Sequence, residues 1–396
     1  MAMLRTSLAA ILAVALAACA QIPVSEPLPR NFDSGSVLVV IDDPRPARRR
    51  QAILGSGYST PGNYSDDPSL NRAAKAIADT YDSVIQYQWP IESIGAHCFV
   101  LQSDAPSALV TQLNSDERVR YAYTVNRFRV QTGNAALAES QGSGSVAPIA
   151  STPRSGTQKI AVIDTSADVE HPDLPHRRVQ QWDLVGPFRG LAKERHGTAV
   201  LGLIAATPMN GIGIDGAAPY AQYGVFRGCW QLREGSADAE CDSVSLALAL
   251  QSAYDWSADV VNLSLTGPRD PLLEDIVSTF LARGAVIVAA FDEERGEINR
   301  FPRSRPGVIH AYGRAVDDSP DDDLNAVAIA ARDALTLQPD ATYNVLSGHS
   351  MAAPIVSGCV AQVRGAVDDV AVEGIVDALR RIEVDAGGGL NCQRIR

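Results

Sequence analysis

The chain has 396 residues, enough for two or three domains, and a hydrophobic share of 46% allows a full globular core. Its formal net charge is −12, which sets aside nucleic acid as a partner and otherwise favours only solubility and, mildly, cationic ligands.

The first residues are a targeting segment and not part of the fold. Arg5 gives a short basic start, and Ser7 to Ala18 is an apolar run of small residues. That run is shorter than the about 20 residues a membrane-spanning helix needs. Leu16-Ala17-Ala18-Cys19 resembles a bacterial lipobox, in which Cys19 becomes the lipidated N-terminus after residues 1–18 are removed. Ordinary signal cleavage after Ala15-Leu16-Ala17 is the alternative. Ala20 follows in place of Asp, so nothing suggests retention in an inner membrane. The expectation is an exported protein of the cell envelope, lipid-anchored to a bacterial membrane or released after processing.

Residues 19–34 read as a polar, Pro-containing tether. A β-rich run at Ser36–Ile41 follows, then a basic, solvated loop at Arg45–Arg50 and a turn cluster at Ser59–Asp67. Apolar spacing of three and four predicts a helix over Leu70–Tyr81. Strands are predicted at Val84–Trp89 and Ala96–Leu101, a short helix at Ser107–Leu113, and one long alternating strand at Val119–Val130. The succession strand, helix, strand, strand, helix, strand is the split βαβ of a ferredoxin-like α+β domain, here over 35–131. Residues 132–157, rich in Gly, Ser, Ala and Pro, form a linker.

From residue 158 to the end the pattern is α/β. Candidate strands are Ile160–Asp164, Tyr223–Arg227, Val260–Leu265, Val286–Ala290, Val308–Tyr312 and Val327–Ala331, with helices between most of them. Nearly continuous apolar strands imply a parallel sheet covered by helices on both faces. Gly211-Ile212-Gly213-Ile214-Asp215-Gly216 matches a dinucleotide fingerprint in letters only. That motif needs a strand before it and a helix after it, and here the order is reversed. Trp230 and Trp256 read as packing residues.

Three segments carry chemistry. Lys159-Ile160-Ala161-Val162-Ile163-Asp164-Thr165 is a buried strand ending in a carboxylate, trailed by His171-Pro172-Asp173-Leu174. Arg195-His196-Gly197-Thr198-Ala199-Val200 places an imidazole at the start of an apolar helix running to about Ala206. Leu346-Ser347-Gly348-His349-Ser350-Met351-Ala352-Ala353-Pro354 presents a hydroxyl on a small-residue turn where a helix starts, with Pro354 expected in its first turn. A hydroxyl needs an adjacent base to act as nucleophile, and the base needs a carboxylate to fix its tautomer. In the order Asp164, His196, Ser350, the three segments resemble those of the subtilases, the subtilisin-like serine peptidases.

The resemblance spans about residues 156 to 382 and implies a subtilisin-like fold and endopeptidase activity through an acyl-enzyme on polypeptide substrates. It makes the N-terminal domain look like the family's propeptide, a chaperone and inhibitor held in the same chain. Val261 to Pro268 resembles the substrate-binding edge, with Ser264, Leu265, Thr266 and Gly267 alongside an extended peptide, although the family usually has Gly where Thr266 stands. The oxyanion segment departs further. The family usually reads Ala-Ala-Gly-Asn, and this chain reads Ala289-Ala290-Phe291-Asp292. An ionised Asp292 cannot donate a hydrogen bond to an oxyanion. His349 is a candidate extra donor, or else a surface residue of the turn, and Arg332, usually Gly, could narrow the cleft. These departures keep a second reading open, a surface protein that binds peptides and turns them over weakly or not at all.

Of the six cysteines, Cys19 would carry lipid and Cys98 reads as a core thiol. Export implies an oxidising compartment, so Cys229–Cys241 and Cys359–Cys392 are the preferred disulfides. A buried free thiol is the alternative for Cys359. No Cys/His spacing resembles a zinc site, and no cofactor is implied.

Overall fold

The computed structural model describes residues 32–45, 68–130, 158–186, 193–291, 300–313, 325–329, 333–366 and 371–380, with backbone only for 133–134 and 333. The signal segment with Cys19, the basic run after Arg45, the turn cluster, the linker, Asp292, Arg332 and Cys392 lie outside these residues.

The N-terminal domain pairs β1 (Ser36–Asp42), β2 (Val84–Ile91), β3 (Ala96–Gln102) and β4 (Tyr121–Thr124) in the antiparallel order β2-β3-β1-β4. Two helices, α1 (Pro68–Thr80) and α2 (Pro106–Leu113), cover one face. This is the order into which the expected βαββαβ succession closes. Arg45, expected in a solvated run, instead holds Asp43 in a bidentate pair, with an Nη2–Oδ2 distance of 2.7 Å.

The long strand expected over Val119–Val130 is two strands. The chain leaves the first sheet at Asn126, whose N–H donates to Ser243 Oγ at 2.9 Å and whose carbonyl accepts the Ser243 N–H at 3.2 Å. It continues as β5 (Arg127–Val130) and β6 (Gly133–Asn134), which pair elsewhere.

The larger domain is built on β7 (Lys159–Asp164), β8 (Val179–Asp183), β9 (Gln222–Arg227), β10 (Cys229–Gln231), β11 (Ala239–Asp242), β12 (Val260–Leu263), β13 (Gly267–Pro268), β14 (Val286–Ala290), β15 (Arg300–Phe301), β16 (Ile309–Gly313), β17 (Ala326–Ile329), β18 (Asp333–Gln338) and β19 (Thr342–Ser347). Seven of these form one parallel sheet in the order β17-β16-β14-β12-β7-β9-β8. The edge strand β8 and the β18–β19 hairpin were not among the expected strands. The polar segment Val179-Gln180-Gln181-Trp182-Asp183 lacks the apolar run of a central strand.

One face of the sheet packs against α3 (Arg195–Ala205), α6 (His349–Ala366) and α7 (Val372–Arg380), and the other against α4 (Ser243–Asp255) and α5 (Pro271–Ala282). The side chains of β1 divide between two cores. Val37, Val39 and Ile41 join α1 and α2, while Leu38 and Val40 join the cluster around α4 and α5. The N-terminal sheet is therefore covered on both faces, by its own helices and by the larger domain. Each such fully buried aliphatic side chain contributes roughly 1.5–3 kcal/mol.

Candidate active site

Asp164 ends β7, where the order of successive strands reverses, and open α/β sheets bind ligands at the carboxyl edge there. His196 is the second residue of α3, a helix buried along nearly its whole length. Gly197 permits the contact between them, since a Cβ there would lie 2.4 Å from the Thr165 carbonyl oxygen. The His196 Nδ1 to Asp164 Oδ1 distance is 2.7 Å, with both side chains 1% exposed. An ionised carboxylate only accepts, so the proton of a neutral His196 sits on Nδ1 and its Nε2 offers a lone pair.

Ser350 is the second residue of α6, which packs directly against α3. It follows Gly348, whose φ of 130° suits a residue without a Cβ. Ser350 Oγ and His196 Nε2 are both buried and, among the described residues, without hydrogen-bond partners. Buried polar atoms are almost always satisfied, and exceptions concentrate where chemistry requires a free donor or acceptor.

Pro354 lies one turn beyond Ser350 inside α6, not in the first turn as expected. It cannot donate the helical N–H that would reach the Ser350 carbonyl. The Ser264 hydroxyl takes that role, donating to Ser350 O at 3.0 Å. Asn262 Nδ2 donates to Ser264 Oγ at 2.9 Å, and Ser357 Oγ donates to Asn262 Oδ1 at 3.0 Å. Ser264, expected beside a substrate, thus turns its side chain towards the turn that carries Ser350.

The expected edge at Thr266 holds an extended segment of the chain itself. Arg129 N–H donates to Thr266 O at 3.2 Å, and Thr266 N–H donates to Arg129 O at 3.4 Å. On its other side β5 pairs with β11, Phe128 opposite Cys241 and Arg127 opposite Asp242. Beyond it, Gly133 and Asn134 pair with Ser347 and Leu346 of β19, the strand leading into the Ser350 turn. Thr266 takes part through its backbone, so its side chain does not close the edge. Gly267 makes room for Phe128: a Cβ there would lie 2.2 Å from the Phe128 ring. Phe128 is fully buried, edge-on to Phe301 at 5.8 Å, in the apolar cluster that also contains Leu265.

Several residues of the site had no clear sequence signal. Arg227, 1% exposed at the end of β9, pairs with Glu194 at 3.1 Å and Asp183 at 3.2 Å. The Glu194 carboxylate also accepts the Ser166 and Gln231 N–H groups at 2.8 Å each, tying the cap of the His196 helix to the loop after Asp164. The only hint was a charged residue closing an otherwise apolar strand. His349 is half-buried, and its Nδ1 accepts the Gly313 N–H at 3.1 Å, so that nitrogen is an acceptor and not an extra donor. Its ring stands edge-on to Phe291, which also packs against Tyr312 and lies under Arg303. Trp230, expected as packing, faces Arg127 at 5.6 Å. The Cys229–Cys241 disulfide is present, joining β10 to β11. Cys359 is disulfide-bonded, and Cys98 is buried and free. Among the described residues no group of three or more His, Cys, Asp or Glu side chains could hold a metal ion, and no helix is long and apolar enough to cross a membrane.

Residues 155–291 match the sequence profile described as the subtilase family. The chain is 30% identical over 227 residues to the major intracellular serine protease of Bacillus subtilis (strain 168), covering 52% of this chain and 68% of that protein. It is 30% identical over 219 residues to thermitase of Thermoactinomyces vulgaris, covering 50% and 72%, and 30% identical over 219 residues to subtilisin of Bacillus pumilus, covering 52% and 76%. The crystal structure of fervidolysin from Fervidobacterium pennivorans, described as a keratinolytic enzyme related to subtilisin, aligns with a TM-score of 0.65 over 90% of this chain and 58% of that chain. At 18% identity that likeness is one of fold.

Proposed function

Since the chain belongs to the subtilase family of serine peptidases, we propose that it is an exported endopeptidase working through Asp164, His196 and Ser350, and that its N-terminal domain is an inhibitor held in the same chain. Ser350 Oγ attacks the peptide carbonyl while His196 Nε2 takes its proton. Collapse of the tetrahedral adduct expels the amine, which receives that proton, and leaves an acyl-enzyme that water hydrolyses by the same route. Asp164 holds the imidazole in the required tautomer and stabilises the imidazolium. The observation that carries this reading is the buried His196–Asp164 hydrogen bond of 2.7 Å, together with the two polar atoms left open, His196 Nε2 and Ser350 Oγ.

The inhibitor role is supported by the path of the chain. β5 adds as a strand between β11 and Thr266, and β6 adds to β19, the strand that precedes Ser350. The strand end near Val130 to Asn134 is the segment that Ser350 would cut, and its cleavage would free the peptidase domain. The lipobox-like sequence supports export with Cys19 as the lipid anchor, so cleavage would also cut the covalent link to the membrane. Asp292 takes the position of the oxyanion donor and acts there as the neutral acid.

A fluorophosphonate probe tests the triad. Labelling confined to Ser350, lost in Ser350→Ala and reduced in His196→Ala, is the expected result. An unlabelled wild-type protein would leave a peptide-binding protein without turnover. Mass spectrometry tests the rest: a cut near Val130 to Asn134, absent in Ser350→Ala, is expected, and an uncut chain in both proteins would overturn autoprocessing.

A further inference from the structure

β5 carries two arginines, and they are treated differently. Arg129 is exposed, and its bonds to Thr266 are made by its backbone. Arg127 is gripped. Its Nη1 lies 3.0 Å from Glu240 Oε1 and 3.8 Å from Asp242 Oδ2, its Cζ lies 5.6 Å from the Trp230 ring centroid, and its Nη2 donates to the Phe32 carbonyl. The two carboxylates and the ring belong to the peptidase domain, and elements that do not depend on Arg127 fix them in place. Trp230 and Glu240 are cross-strand partners, braced by the adjacent Cys229–Cys241 disulfide. Asp242 caps α4, accepting the Ser245 N–H at 2.8 Å. A cation held by carboxylates and an aromatic face is the geometry that recognises Arg or Lys side chains. Phe128, the next residue, fills the apolar pocket beside Gly267.

We infer that Glu240, Asp242 and Trp230 form a cation subsite through which the peptidase selects substrates carrying Arg or Lys directly before a bulky apolar residue, upstream of the cleaved bond. This rests on the reading that β5 lies along the substrate's path. Once the N-terminal domain has left, the same groups face an incoming peptide. The partial burial of the pair raises its worth above that of a solvent-exposed ion pair. It also gives the cleft a charge preference that an apolar pocket alone cannot supply.

The test uses quenched fluorescent peptides copying Val125 to Asn134, with Arg, Gln or Glu at the position of Arg127, and the processed enzyme as wild type and as Glu240→Lys. For wild type kcat/KM falls about tenfold from Arg to Gln and further to Glu, and Glu240→Lys reverses the order. Substituting the position of Arg129 in the same way has little effect. Equal hydrolysis of the three peptides by an active enzyme, or an order that Glu240→Lys leaves alone, overturns the subsite. A second measurement needs no turnover. In full-length Ser350→Ala protein, Arg127→Glu speeds amide exchange over residues 127–130, and adding Glu240→Lys slows it again. If exchange responds in this way and no peptide is cut, the subsite stands as a peptide-binding element and the peptidase reading fails. If neither exchange nor hydrolysis responds, the subsite itself is wrong.

Discussion

The hydroxyl of Ser264 donates a 3.0 Å hydrogen bond to the carbonyl of Ser350, the carbonyl that Pro354 leaves without a helical donor. Ser264 follows β12 and Ser350 is the proposed nucleophile, so one bond fixes two parts of the candidate site against each other. Ser264→Ala leaves a buried carbonyl unpaired, at a cost of about 1–3 kcal/mol in unfolding free energy. Pro354→Ala returns the missing N–H, and in the double variant much of that loss is recovered. Chemical denaturation of the four proteins measures the coupling. Strictly additive losses would show that the Ser264 bond does not substitute for the helical one.

Asp164→Asn separates orientation from charge. The side chain keeps its shape, but its amide can donate to His196 Nδ1 and so favours the tautomer with the proton on Nε2, where the base must be free. Turnover falls about 10⁴-fold on the precedent of such triads, with little change in thermal unfolding. Ser350 labelling by a fluorophosphonate slows in parallel. An Asp164→Asn protein with near wild-type labelling would remove Asp164 from the proposed triad.

Asp270 holds the two domains together. Its carboxylate is fully buried and accepts hydrogen bonds from Tyr123 Oη at 2.6 Å and Asn126 Nδ2 at 3.0 Å in the N-terminal segment, and from Ser243 Oγ at 2.7 Å and Leu273 N at 3.1 Å in the peptidase domain. Burial raises the Asp270 pKa, and the four donors offset this only in part. A carboxyl whose pKa is raised by docking binds its proton more tightly in the docked state. Docking is therefore strongest below the ordinary aspartate pKa of about 3.9 and weakens as the pH rises through the raised value. In uncleavable Ser350→Ala protein, amide exchange over β4, corrected for its intrinsic pH dependence, is faster near neutral pH than near the ordinary aspartate pKa of about 3.9. Asp270→Asn flattens that dependence. Tyr123→Phe removes one charge-assisted bond, loosening docking by about 1.5–3 kcal/mol when Asp270 is ionised. Identical exchange in all variants would place the hold elsewhere.

The sequence was most legible where local chemistry and periodicity agreed. Ile160 to Asp164 is buried on both faces and ends in the carboxylate proposed for the triad, so pattern and motif pointed to the same place. The four-strand order of the N-terminal sheet followed from its element succession. Reading Val119 to Val130 as one strand passed over a slip in its alternation, since apolar residues hold the odd positions through Val125 and the even ones from Phe128, and Ser243, distant in sequence, draws the backbone away between them. Arg227 and Glu194 were hidden for the same kind of reason: their pairing joins a strand end to a helix cap 33 residues apart in sequence. The unbroken apolar run from Val37 to Ile41 fits a strand covered on both faces, since a sheet with one face in water alternates, though the sequence alone read it only as β-rich.

Asp292 follows Phe291, whose N–H still pairs with Ala311 O at 2.9 Å, so the register of β14 is held up to the departure from the family pattern. A carboxyl beside a developing oxyanion is driven towards its neutral form by desolvation and by the growing negative charge, and the neutral acid can donate one hydrogen bond. The loss of one such donor typically costs about 100- to 1,000-fold in turnover. Asp292→Asn supplies a donor that does not depend on pH, so turnover near neutrality rises by about one to three orders of magnitude. The wild-type profile is a low, narrow bell. On its acid side a protonated imidazole cannot act as base, and on its alkaline side an ionised Asp292 cannot donate. The Asn variant instead reaches a plateau on the alkaline side. Profiles of kcat/KM for the two proteins across this range decide the matter, and equal profiles with equal turnover would remove residue 292 from the oxyanion position.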